Sequence, residues 1–244
     1  MTKSSTRSNS ERFILAYNSI DYSLRAIYGF KRSISFADLI RKAVPLNSVV
    51  RKYEDELIDY GRLRNSIVHK TNPNYVIAEP HIEVVEEFEK IAKLIDTPPT
   101  AFEKICKKEV LVCDHDVSLK QVLSIMTRTG YHNIPVYQNG VLQGVAVSSK
   151  ILTKIGECIL RNEDVDKYLE DTKVYQIIDG QEDSKLFKVA DKKMTIEKAL
   201  NYFYINRKLA IIIITEKGTF NEEPIGVITT ADILDMNAVL ENYS

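Results

Sequence analysis

The stretch Val112-Cys-Asp-His-Asp-Val-Ser-Leu-Lys-Gln-Val-Leu aligns without a gap with a later stretch, Val189-Ala-Asp-Lys-Lys-Met-Thr-Ile-Glu-Lys-Ala-Leu. Each stretch continues into a helix, a strand, a turn, a second strand that opens with Gly144 or Gly226, and a final helix. Because a repeated sequence indicates a repeated structural unit, the second half of the chain is predicted to hold two β-α-β-β-α copies. Short runs rich in β-branched residues predict the strands at 110–112, 134–137, 141–147, 211–215 and 225–228.

The first hundred residues show a different pattern. Apolar residues recur at three- and four-residue spacing over 11–28, 35–44, 48 to about 69, and 80–95, which predicts four helices and no strand. Ser10 and Ser35 stand where helix N-caps belong, and Pro80 suits a helix start. Pro98 and Pro99 then interrupt any helix. We therefore predict an α plus α/β chain with an all-α domain at 1–97 and repeats at 98–170 and 171–244.

Composition excludes several classes of protein. The 244 residues carry a net charge of −1, with 44% hydrophobic and 27% charged residues, which argues against a disordered, collagen-like or disulfide-scaffold chain. No apolar run approaches the roughly 18 residues that cross a bilayer, and no apolar signal core follows the basic N-terminal residues. Three cysteines without metal-ligand spacing predict reduced thiols and no metal site. We expect a cytoplasmic protein without a membrane partner.

The two copies, each with a glycine-led second strand and a helix after it, resemble the CBS domain family over about residues 101–240. CBS domains occur as tandem pairs that pack into one disc. In that family, the clefts between the two copies bind adenine nucleotides. The resemblance therefore implies a regulatory ligand such as AMP, ADP or ATP and no required cofactor.

The second copy carries the family's nucleotide signature in full, as Gly226-Val-Ile-Thr-Thr-Ala-Asp232. Gly226 permits a close backbone approach, and Thr229 stands at a strand-to-helix junction where it can donate to a phosphate. Asp232 can accept hydrogen bonds from the ribose hydroxyls. The alternative interpretation is that Thr229 only caps the helix that holds Asp232.

The first copy departs from the signature. Val147 stands where the hydroxyl belongs, and Lys150 stands where the ribose carboxylate belongs. Lys150 can reach a phosphate of a nucleotide held mainly by the second copy, or it is an ordinary solvated lysine. His132, just before a predicted strand, is a candidate for the cleft, with a plain turn histidine as the alternative. We predict one good nucleotide site.

The third predicted helix ends with Arg64-Asn65-Ser-Ile-Val-His69, an Arg-Asn-x-x-x-His pattern. It resembles the signature of HEPN domains, small helical bundles of which many are metal-independent endoribonucleases. The resemblance implies that Arg64, Asn65 and His69 act on the scissile phosphodiester at a dimer interface. Residues 1–70 hold 13 Lys and Arg against 7 Asp and Glu, a charge that suits contact with phosphates.

The chemistry is consistent with that resemblance. RNA cleavage without a metal needs a group that titrates near neutral pH and a cation beside the phosphorane, and His69 and Arg64 supply both. Five residues correspond to about 140° of helix rotation, so the pair does not share a face and two chains would pool their residues. The alternatives are a surface ion pair of Arg64 with Asp59 or with carboxylates on the Asp55 side, and a His69 that meets the helix macrodipole.

Two functions fit these features. The first is a homodimeric, adenine-nucleotide-sensing CBS protein that regulates a HEPN-type endoribonuclease acting on RNA. The second is a non-catalytic regulatory or scaffolding protein that binds nucleotide. The sequence does not decide between enzyme and binding protein.

Overall fold

The computed structural model describes residues 7–68, 79–178 and 185–243, which divide into two compact units. The helical unit contains the described residues up to Pro99, Thr195–Asn201 and those from Ala238 onward. The repeat unit contains Thr100–Met194 and Tyr202–Asn237. One boundary falls after Pro99, within the predicted proline-containing linker. The division at 1–97, 98–170 and 171–244 remains a prediction.

The N-terminal region is helical, as predicted. Its core includes aromatic rings in tilted contact, with the Phe13 and Phe88 centroids 4.6 Å apart and the Tyr60 and Phe88 centroids 4.7 Å apart. Such contacts bury large apolar areas in a small bundle. The helices are α1 (Asn9–Tyr28), α2 (Phe36–Ala43), α3 (Ser48–Lys52), α4 (Glu54–Val68) and α5 (Ile82–Asp96).

The helix starts agree only in part with the prediction. Ser35 caps α2 by accepting a hydrogen bond from the Asp38 amide. The prediction that Ser10 caps α1 is wrong, because Ser8 and Glu11 form a reciprocal capping box there. Ser10 lies inside α1 and is buried, and its amide donates to Glu79 Oε1 over 3.1 Å. The cap therefore stands two residues earlier than predicted.

The predicted helix from 48 to about 69 is wrong as a single element, because it is interrupted at Tyr53, whose φ and ψ are −113° and 27°. The short α3 before the break is held by residues far along the chain. Glu197 Oε1 accepts the Ser48 amide over 3.0 Å, and Asn201 Oδ1 accepts two bonds from Arg51 over 3.2 and 2.7 Å. These distant partners, which the local pattern does not show, fix the direction of α3 separately from α4.

Glu197 is a carboxylate buried at the start of α3, only 8% exposed. Burial raises its pKa, against smaller opposing effects of the Ser48 amide and the Arg51 and Lys198 charges. An acid with a raised folded-state pKa stabilises the fold below its unfolded pKa and loses that contribution as pH rises through the folded-state value.

We therefore expect Glu197→Gln, which keeps an acceptor for Ser48, to be at least as stable as the parent at pH 7. That advantage should shrink as pH falls toward the ordinary glutamate range. Thermal unfolding across this pH range measures it, with Glu83→Gln on α5 as an exposed control. A variant less stable at pH 7 than at pH 4, relative to the parent, would contradict the direction of the pKa shift.

The repeat unit has the predicted internal repeat. β1 (Cys113–Asp114) pairs in parallel with β2 (Asn133–Gln138), which pairs antiparallel with β3 (Val141–Val147). β4 (Phe187–Asp191), β5 (Ile211–Thr215) and β6 (Gly226–Thr229) repeat the same order and directions. The helices are α6 (Ala101–Lys104), α7 (Leu119–Thr129), α8 (Ser148–Leu160), α9 (Val165–Asp171), α10 (Ile196–Ile205) and α11 (Ile233–Glu241), with 3-10 turns at Val174–Gln176 and Thr230–Asp232.

The sheet register relates the two copies residue by residue. Val147 pairs with Asn133 at the end of β3, and Thr229 pairs with Ile211 at the end of β6. Val147 and Thr229 therefore hold the same place in the two copies. The predicted strand at 110–112 is wrong, because the first strand of that copy contains only Cys113 and Asp114.

Both α10 and α11 contribute residues to both units. The first six residues of α10 lie within Thr195–Asn201, and the last residues of α11 lie in the part of the helical unit that begins at Ala238. Lys52 on α3 forms an ion pair with Glu241 over 2.8 Å, and Lys90 on α5 donates to the Glu241 carbonyl. Two segments of the second repeat therefore complete the helical unit.

Candidate functional site

Thr229 and Asp232 meet at the head of α11. The Thr229 amide donates to Asp232 Oδ2 over 2.7 Å, and the Thr229 hydroxyl lies 3.1 Å from the same oxygen. Thr229 Oγ1 also accepts the Ala231 amide over 3.3 Å. The capping arrangement that sequence reasoning held as the alternative is thus present. Both of these Asp232 bonds use Oδ2, so the capping arrangement does not use Oδ1.

Gly226, the first residue of β6, lies close to Cys106. A Cβ at this position would lie 3.0 Å from Cys106 Cβ and 3.2 Å from its sulfur, so a side chain here would displace the Cys106 segment. Burial, with a smaller contribution from the charge of Asp232, raises the pKa of the Cys106 thiol to about 12. Cys106 is therefore a neutral packing group at physiological pH, and the glycine is explained by close approach.

A cleft of about 140 Å³ opens beside these residues in the repeat unit. It brings together two of the predicted site residues, His132 and Thr229. Gly226, Asp232 and Lys150 do not line it, although Asp232 contacts Thr229 directly. The other lining residues combine apolar and polar side chains and include Lys107, Glu109, Val110, Leu111, Tyr131, Asn133, Pro135, Ile211 and Val227.

Sequence reasoning missed one wall of the cleft. Lys107 joins Val227 through two backbone hydrogen bonds of 3.4 and 3.2 Å, which lays the segment before β1 against β6. Tyr131 is partly exposed beside His132, whose carbonyl accepts the Ser148 amide over 2.9 Å. The charged residues Lys-Lys-Glu at 107–109 could have indicated a phosphate-binding wall. They were not selected because a strand was expected at 110–112, directly after them.

The equivalent place in the first copy is built differently. α8 starts directly after Val147, which offers no side-chain cap to the helix. Lys150, in the first turn of α8, is partly buried. The structure therefore has a hydroxyl–carboxylate pair at the end of the second copy and an apolar residue with a lysine at the end of the first.

In the helical unit, α4 places Arg64 and Asn65 next to each other. The Arg64 guanidinium carbon lies 5.0 Å from the centre of the Tyr17 ring, and Nη1 donates to Asn65 Oδ1 over 3.4 Å. Arg64 Nε is shielded from solvent and has no hydrogen-bond partner within the described ranges. The Asp59 carboxylate pairs with Arg62 over 2.7 Å, a different partner from the Arg64 that the alternative interpretation gave it. His69 lies outside the described residues.

Within residues 7–68, 79–178 and 185–243, no helix has an apolar stretch long enough to span a bilayer. No three side chains of His, Cys, Asp or Glu in that part of the chain gather into a group suited to a metal ion.

Comparison with known proteins identifies part of this architecture. Residues 102–157 match the CBS domain family. No curated protein matches the chain. Similar solved structures include the CBS domain of a bacterial CNNM/CorC family Mg²⁺ transporter in complex with ATP, at 20% identity over 63% of this chain and 95% of the other, with a TM-score of 0.45.

Two further structures have comparable similarity. The CBS domain of a CBS-domain-containing membrane protein from Sphaerobacter thermophilus is 16% identical over 57% of this chain and 88% of the other, with a TM-score of 0.44. CBSX2 in complex with AMP is 14% identical over 59% and 99%, with a TM-score of 0.45. The helical N-terminal region is followed by the repeat unit, in which residues 102–157 match the CBS domain family.

Proposed function

We propose that the repeat unit binds an adenine nucleotide and that its occupancy regulates a HEPN-type, metal-independent endoribonuclease in the helical unit. The observation that carries the proposal is the pairing of Thr229 with Asp232 at the edge of a cleft that also contains His132. The protein would act as a homodimer in the cytoplasm. The ligand would be AMP, ADP, ATP or a related nucleotide.

The lining of the cleft supports a nucleotide ligand. Apolar side chains from Pro135, Ile211 and Val227 offer a surface for the base, and Lys107 offers a charge to the phosphates. The volume of about 140 Å³ is smaller than a typical small-molecule pocket, so it suits one part of the ligand, with the rest extending into solvent. Asp232 does not line the cleft but contacts Thr229, which does, and from that position it would supply the acceptor for ribose hydroxyls.

We expect Asp232→Ala to weaken binding of ATP and AMP about 10- to 100-fold, the effect of losing a hydrogen bond to a buried charged group. Calorimetric titration of the full chain measures this change. Asp235→Ala is the matched control, because Asp235 lies three residues later, in the first turn of α11, and is exposed. Equal affinities for parent and Asp232→Ala would remove Asp232 from the site. Lost affinity only in a Lys150→Ala variant would move the ligand to the first copy.

The ribonuclease part rests on the neighbouring positions of Arg64 and Asn65 in α4 and on the sequence pattern that includes His69. Arg64 would stabilise charge on the phosphorane, Asn65 would orient the phosphodiester, and His69 would move the proton. The two halves are joined through short segments, and α10 and α11 are shared by both units, which supports regulation of one by the other.

One observation favours the second function, a non-catalytic binding protein. Arg64 packs on Tyr17 and its Nε is buried, as expected of an arginine that stabilises the bundle. The distinguishing result is cleavage of RNA by the purified full chain that disappears in an Arg64 variant.

A further inference from the structure

A second cavity lies in the helical unit beside Arg64. Its volume is about 320 Å³, within the range of small-molecule sites. It opens between α2 and α4 and shares Asn65 and Tyr17 with the surroundings of Arg64. The cavity is therefore adjacent to the position at which Arg64 would hold a phosphodiester.

The wall of this α2–α4 cavity is aromatic. The Tyr17 and Phe36 rings lie 4.3 Å apart, inclined by 33°, and both line the cavity. Gly61 lets the Phe36 ring pack directly on α4, because a Cβ at Gly61 would lie 2.9 Å from Phe36 Cδ1. Aromatic walls accept any nucleobase, since every base has a π-face.

The rim of the cavity carries two arginines. Arg41 pairs with Asp38 over 3.4 Å and Arg62 pairs with Asp59 over 2.7 Å. These side chains are all more than half exposed, and exposed ion pairs contribute little to stability. A phosphate can therefore replace either carboxylate as the partner of a guanidinium, in the bidentate geometry that arginine favours.

We infer that the α2–α4 cavity is a subsite for one nucleotide of single-stranded RNA next to the bond presented to Arg64. The base packs against Tyr17 and Phe36, and its phosphate is held by Arg41 and Arg62. A paired base would not enter, because it would remain stacked within its helix. The inference rests on the proposed action of the helical unit on RNA, and it adds a preference for single strands and a recognition role for Arg41 and Arg62.

The test measures binding of a short, labelled 2′-O-methyl oligonucleotide by the full chain, using fluorescence anisotropy across a salt series. This probe cannot be cleaved through a 2′-hydroxyl. The double variant Arg41→Ala/Arg62→Ala should bind about tenfold more weakly. Its slope of log affinity against log salt should fall by roughly 0.7 for each phosphate that the variant no longer neutralises. Ala37→Leu, which fills the cavity without changing charge, should weaken binding and leave the slope unchanged.

The matched control is Arg161→Ala, because Arg161 in the repeat unit is 63% exposed and paired with Glu157. It should bind like the parent. Parent affinity and slope in both cavity variants, alongside binding and RNA cleavage by the parent, would overturn this inference alone. Failure of the parent to bind or cleave any RNA would overturn the ribonuclease proposal together with the subsite. Equal binding of a duplex of the same sequence would contradict the preference for single strands.

Discussion

Arg64→Ala and His69→Ala are each expected to reduce RNA cleavage by about 10²- to 10⁴-fold, the range found when a general acid–base group or a transition-state cation is removed. The reason is that, in a mechanism without a metal, no other group would take over the proton transfer by His69 or the charge stabilisation by Arg64. Both variants should still bind the uncleavable oligonucleotide, because most of the affinity for a single strand comes from its other phosphates and bases.

The measurement is a cleavage assay on total RNA with and without ATP and AMP, in the presence of a chelator. Arg128→Ala is the control, because Arg128 is an exposed arginine at the end of α7. An activity that survives in Arg64→Ala, or that the chelator abolishes, would point to a contaminating nuclease. Cleavage that responds to Arg64 but not to either nucleotide would separate the enzyme from the proposed sensor.

Asn201→Ala is expected to loosen α3 by about 2 kcal/mol, which is roughly a 30-fold increase in local opening. Asn201 is buried and serves two partners, since Oδ1 accepts from Arg51 and Nδ2 donates to the Leu46 carbonyl over 2.9 Å. Alanine removes the bonds to the Arg51 guanidinium and to the Leu46 carbonyl, and the loss of hydrogen bonds from a buried amide destabilises the segment that they hold.

Hydrogen exchange of the backbone amides in residues 46–53 of the full chain measures the opening. Lys198→Ala is the control, because Lys198 lies on the same helix as Asn201 but is exposed. Exchange in α5 should change less, since its ring contacts with α1 remain. Unchanged protection at 46–53 would mean that Asn201 does not hold α3.

The repeat was readable from the sequence because it depends on local patterns. The β-branched runs at 141–147 and 211–215 coincide with β3 and β5, and the hydroxyl residue Ser118 caps α7. The local sequence pattern does not predict a helix boundary that depends on residues far along the chain. The break at Tyr53 depends on Glu197 and Asn201, which no reading of residues 48–69 includes.

The residues of the candidate site likewise include some that a local motif predicted and some that it did not. The signature predicted that Thr229 and Asp232 act together, because three residues bring a strand end and a helix start into contact. Lys107 and Tyr131 were missed because they reach the cleft through pairing with β6 and through the turn before β2, and neither belongs to a recognised motif. Arg64 and Asn65 were identified by spacing, but the packing of Arg64 on Tyr17 depends on how α1 and α4 cross.

The distant segments that complete the helical unit also bear on how the protein folds during synthesis. Residues 7–68 and 79–99 leave the ribosome first, but Glu197, Asn201 and Glu241 follow on the order of 100 residues later, a delay of roughly 5 to 20 s at ordinary translation rates. During that interval, Ser48 lacks its bond to the Glu197 carboxylate, and Arg51 lacks its bonds to the Asn201 amide. The nascent helices can collapse on the contacts among Phe13, Tyr60 and Phe88, whereas α3 is fixed only when the second repeat has been made.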